Sequence, residues 1–135
     1  MVYSEQEILE KQQLAGTFNL SGSELLDDIN AVRRDCNGIG AEWFPPHWRE
    51  LLSGMFPELE VVADIHDRRY SIGGSCFDRW TADLEFFRNG IRIAVCIPNL
   101  SLRRRFRLFR TVFKMYLLLA IGGATAFNYA GKGRQ

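Results

Sequence analysis

Two stretches of apolar residues at helical spacing meet at Gly73-Gly74-Ser75, and each carries one ionisable residue inside its apolar stripe. Upstream, Pro57 suits the first turn of a helix. Leu59, Val62, Ala63, His66 and Tyr70 then share one face. Gly73-Gly74 ends that helix. Ser75 caps the next, and Asp78 in its first turn is favoured by the helix dipole. Downstream, Trp80, Asp83, Phe86, Phe87, Gly90, Ile93, Ala94 and Ile97 lie on one side until Pro98 stops the run. So short a connection predicts an antiparallel helical hairpin. His66 lies about eight residues before the turn and Asp83 about eight after it, so at ~1.5 Å rise per residue both sit roughly 12–13 Å from it, on facing stripes. Gly90 on the same stripe lets the two helices approach.

A buried carboxylate without a partner costs several kcal/mol, so Asp83 must be paired or protonated. A histidine held by a buried carboxylate has a fixed tautomer and a stabilised imidazolium, the properties of a general base. A core His–Asp pair without chemistry satisfies the same pattern. Tyr70, one turn after His66, brings its hydroxyl within reach of Asp83, or serves as a core aromatic. Asp67 lies about 100° around the helix from His66 and faces its edge, as a cation ligand or a solvated charge.

At 135 residues the chain fits one domain, and no strand alternation, internal repeat or linker interrupts it. The expectation is a single all-α domain over residues 1–135. Further helices are expected over 4–14, from a capping box at Ser21 to about Arg34, over 47–54, and from about Ser101 to Gly122-Gly123. Between them, Cys36-Asn37-Gly38-Ile39-Gly40 is a Gly-punctuated loop. Such a loop is an ordinary turn or a cation cradle: calcium takes six to eight oxygens, and glycines let backbone carbonyls converge on one point. The three cysteines, Cys36, Cys76 and Cys96, form neither a disulfide framework nor a zinc-binding spacing.

Taken together these residues resemble the phospholipase A2 superfamily. Ile65-His66-Asp67-Arg68-Arg69-Tyr70 is similar to its helical His-Asp-x-x-Tyr motif. Ala82-Asp83-Leu84-Glu85-Phe86 resembles the second helix, whose aspartate pairs with the histidine, and Asn37-Gly38-Ile39-Gly40 resembles the calcium loop. The likeness is to the short, cysteine-poor versions encoded by bacteria and phages, and it spans about residues 36–90. It implies calcium-dependent hydrolysis of the sn-2 ester of phospholipids. His66 would activate water, and Asp83 would orient it with help from Tyr70. Asp67 and the carbonyls of Cys36, Gly38 and Gly40 would hold calcium, and an N–H near Gly38 would help stabilise the oxyanion. Arg69 and Asn37 stand where secreted members carry cysteines. A catalytically inactive helical module that binds a lipid surface or a protein is the alternative.

Charge is split along the chain. Residues 1–70 hold 6 Lys/Arg against 13 Asp/Glu, a balance of −7, and residues 71–135 hold 11 against 3, a balance of +8. The basic half can dock on anionic lipid, on nucleic acid or on the acidic half of its own chain. Nucleic acid is disfavoured, because neither a known docking motif nor interleaved exposed aromatics are expected beside the arginines. Arg103, Arg104, Arg105, Arg107, Arg110 and Lys114 precede an apolar run from Met115 to Phe127, which is short of the ~20 residues needed to span a bilayer. A buried core helix and a basic helix lying on a membrane surface both fit. The opening MVYSEQEILEKQQ is polar, without a secretory pattern, so the expectation is a cytoplasmic product that meets membranes peripherally or is released by another route.

Overall fold

In a computed structural model, residues 3–36 and 54–129 are described. Helix α1 (Glu5–Thr17) starts where Ser4 accepts the Glu7 N–H, and α2 (Ile29–Asp35) where Asp28 accepts the Ala31 N–H. Helix α3 (Glu60–Ile72) follows a 3-10 turn over Pro57–Leu59. Helix α4 (Cys76–Cys96) opens on a reciprocal capping box between Ser75 and Asp78. Helix α5 (Leu102–Gly122) is capped by Ser101. The described residues form a single compact, all-helical domain without strands. The short helix expected over 47–54 lies mostly outside them.

The helix expected from Ser21 to Arg34 is not continuous: it divides into a 3-10 turn (Ser23–Leu26) and α2. Ser21 is occupied elsewhere. Its hydroxyl donates to Glu85 Oε2 at 2.7 Å and its N–H to Asn89 Oδ1 at 3.0 Å. Gly22 then turns the chain through a left-handed backbone (φ 82°), and the helix starts again at the better-placed cap, Asp28.

The core gathers Ile8, Leu26, Val32, Leu59, Val62, Ile65, Ile93, Leu108 and Val112, drawn from every helix. α3 and α4 run back along each other across the Gly73-Gly74-Ser75 turn, tied by Arg69 donating to both carboxylate oxygens of Glu85 at 3.0 and 3.1 Å. α5 packs along α4, where a Cβ on Gly90 would meet both Val112 methyls at 2.7 Å. Arg105 donates to the carbonyls of Ala94, Val95 and Ile97, satisfying the open end of α4. Arg104 reaches across to Glu58. Two of the six basic residues at the start of α5 are thus structural.

After α5, a 3-10 turn (Gly123–Thr125) leads the chain back over the hairpin turn. Asn128 accepts the Gly74 N–H, donates its own N–H to Tyr70 O, and donates from its amide to Ser71 O. Gly73 (φ 75°) is required there, because a Cβ would sit 1.8 Å from Asn128 O. One expected core residue is misplaced: Trp80 is 60% exposed. It lies six residues before Phe86, roughly 120° around the helix, and so falls off the buried arc.

Candidate active site

α3 presents His66 and α4 presents Asp83 toward each other. His66 Nε2 lies 2.9 Å from Asp83 Oδ1, and the Tyr70 hydroxyl donates to the same oxygen at 2.5 Å. All three residues are buried. The imidazole stands between rings, with Tyr70 at 4.1 Å and the edge of Phe86 at 5.5 Å between centroids. Phe127, brought back by the C-terminal turn, packs edge-on against Tyr70 at 5.1 Å. Burial, reinforced by the hydrogen bond to Asp83, holds the Tyr70 phenol far above its usual range, so it remains a neutral donor.

Asp83 Oδ2 is different. It is fully buried and accepts no hydrogen bond within the described residues, and the nearest cation, Arg79 Nη1, stands 3.9 Å away. Arg79 is held by a bond to Leu119 O at 3.2 Å. It was not singled out from the sequence, although its place four residues before Asp83 on the same helix was a signal for it.

Asp67 follows His66 on α3 and is half-buried. Its carboxylate, that of Asp64 and Cys36 Sγ all lie within 4.8 Å of one another. Cys36 is the last described residue before the glycine loop, and Gly38 and Gly40 lie outside the described residues. As a cation site these donors divide in two. Asp67 and the Cys36 carbonyl are hard oxygens suited to calcium. The Cys36 thiol is not a thiolate, because burial, then Asp64 and Asp67, push it far up. Asp64 is already engaged: its Oδ2 lies 2.8 Å from Lys11 Nζ and its Oδ1 accepts the Tyr3 hydroxyl at 3.0 Å. Asp67 therefore offers the hard oxygen of this cluster, while the Asp64 carboxylate is held by Lys11 and Tyr3 and the thiol is neutral. The buried Asp64 network was not anticipated, since its partners Tyr3 and Lys11 lie some fifty to sixty residues away in sequence.

No protein-family model, curated protein or solved structure matches this chain.

Proposed function

We propose that this protein is a calcium-dependent, phospholipase A2-like esterase that hydrolyses the sn-2 acyl ester of phospholipids. The observation that carries the reading is the convergence of His66 and Tyr70 on one buried oxygen of Asp83. A carboxylate on Nε2 fixes the imidazole's tautomer and leaves Nδ1 as the nitrogen available for a proton. Water attacks the ester carbonyl as His66 takes its proton. The same imidazole then returns a proton to the departing alkoxide, giving a free fatty acid and a lysophospholipid. Asp83 stabilises the transient imidazolium, and Tyr70 holds Asp83 in place. Asp67 and the carbonyls of Cys36, Gly38 and Gly40 would hold calcium, which supplies electrostatic stabilisation of the oxyanion.

The test is fatty-acid release from mixed phospholipid vesicles, with calcium and with chelator, by wild type and His66→Ala. Release that needs calcium and falls by at least ~10²-fold in His66→Ala is expected. Calorimetry should show calcium binding that Asp67→Asn removes. A folded wild type that neither releases fatty acid nor binds calcium would leave the inactive binding module as the reading.

A further inference from the structure

The outer face of α4 and α5 exposes more apolar surface than a helix pair needs. Phe77, Trp80 and Leu84 are 73%, 60% and 40% exposed on α4, and Phe106, Phe113 and Leu117 are 62%, 52% and 43% exposed on α5. Spacings of three, four and seven residues put each trio on one side of its helix. The two sides adjoin, because the Phe87 ring touches both Phe113 and Tyr116 at 6.5 and 5.2 Å between centroids. The result is one apolar stripe running along both helices.

Cations border the stripe on each side. Arg88 and Arg92 are exposed on α4, and Arg103, Arg107, Arg110 and Lys114 on α5. Arg103, Phe106, Arg107 and Arg110 line one shallow hollow, and Phe87, Ile91, Phe109, Arg110 and Phe113 line the next. α5 contains no acidic residue. The three acids of α4 are committed elsewhere: Asp78 to the cap, Asp83 to the interior and Glu85 to Arg69 and Ser21.

We propose that this face docks on the surface of an anionic phospholipid bilayer, with the stripe at the level of the acyl chains and the cations against headgroup phosphates. An apolar band with aromatic residues and flanking arginines is the pattern of a helix lying in the interface. Neither helix is long and apolar enough to cross the membrane. A second copy of the chain is a poor occupant, since a shared face would bring like-charged arginine rows together. Nucleic acid is the poorer occupant: Phe106 and Phe113 are exposed among the arginines, contrary to the sequence expectation, but Leu84, Leu117 and the 83% exposed Ile121 continue the stripe with aliphatic surface on which bases do not stack. The proposal deepens the phospholipase reading, on which it rests for any catalytic consequence, by naming the membrane partner. Docking itself does not require His66.

The experiment is co-sedimentation of the full chain, carrying His66→Ala and in chelator, with phosphatidylcholine vesicles with and without phosphatidylglycerol. Binding should require the anionic lipid and weaken as salt rises. Arg107→Glu/Arg110→Glu should weaken it about 30-fold or more, at roughly 1 kcal/mol per arginine. Phe106→Ser/Leu117→Ser should weaken it as well, while circular dichroism keeps its helical signal. Three results would overturn the proposal: no binding to anionic vesicles, binding that both double variants leave unchanged, or a wild-type dimer in sedimentation that Phe106→Ser/Leu117→Ser dissociates. Bound but inactive wild type would count against the esterase reading alone. Hydrolysis of a dispersed short-chain ester without vesicle binding would count against docking alone.

Discussion

α3 carries two buried polar residues that are solved in opposite ways. Asp64 and His66 are two positions apart, so they point about 200° from each other around the helix. On one side, Asp64 meets a full positive charge: Lys11 Nζ lies 2.8 Å from its Oδ2, with Glu60 also on Lys11 at 2.5 Å, and the Tyr3 hydroxyl covers Oδ1. On the other side, Asp83 receives an imidazole and a phenol on one oxygen. Its second oxygen, like Asp64 Oδ2, makes no hydrogen bond within the described residues, but its cation, a guanidinium, stands farther off at 3.9 Å. The first arrangement compensates a carboxylate with a permanent cation that cannot move far. The second sets an imidazole and a phenol on one carboxylate oxygen and holds its permanent cation farther away. Under the proposed esterase reading, this arrangement serves a base that cycles through imidazolium.

The largest expected effect of breaking this comparison is on the Asp64 side. Lys11→Met leaves a fully buried carboxylate with only Tyr3, and should cost about 3–5 kcal/mol in urea unfolding near neutral pH. A loss below about 1 kcal/mol would mean that the pair does not hold α1 to α3. The same side has a pH signature. Burial raises Asp64 to about 6, against the pull of Lys11, from an ordinary 3.8. The folded state therefore binds this proton more tightly than the unfolded chain. Its contribution to stability is full below the ordinary value and is lost as pH rises through about 6. The wild-type advantage over Asp64→Asn should thus grow by about 2 kcal/mol as pH falls from about 7.5 to 4.5. An advantage that does not change with pH would mean that Asp64 keeps its charge throughout. The smallest effect sharpens the other side. Tyr70→Phe removes one of two donors to Asp83 Oδ1, and should cost about 1 kcal/mol in thermal unfolding. A cost above about 3 kcal/mol would make that hydrogen bond a pillar of the fold.

These two sides were not equally legible in the sequence. The approach of His66 and Asp83 could be read from local rules alone: helix rise, a three-residue turn, and two polar residues at matching distances from it. Ser75, Ser101 and Pro98 mark helix ends by chemistry that acts within a few residues. Asp64 could not be read the same way. Its compensation comes from α1, and nothing local to Val61-Val62-Ala63-Asp64 says that Lys11 will arrive. Ser21 failed as a cap for the same reason, since long-range bonds to Glu85 and Asn89 outweigh a local preference. Trp80 was misassigned because α4 is apolar on its outer arc as well as its inner one, so hydrophobicity alone does not tell core from surface. The glycine loop at Gly38 and Gly40 was readable only as a candidate.

The central claim is that the Asp83 side is built for chemistry and the Asp64 side for stability. Asp83→Asn tests it most directly, because the amide keeps the shape and a hydrogen-bonding oxygen while removing the charge that stabilises imidazolium. The measurement is calcium-dependent fatty-acid release beside the unfolding free energy of the same preparation. The account predicts that release falls by about 10³–10⁴-fold while stability changes by less than about 2 kcal/mol. Unchanged release, or a stability loss as large as that of Lys11→Met, would show that the His66–Asp83 pair is a core contact and nothing more.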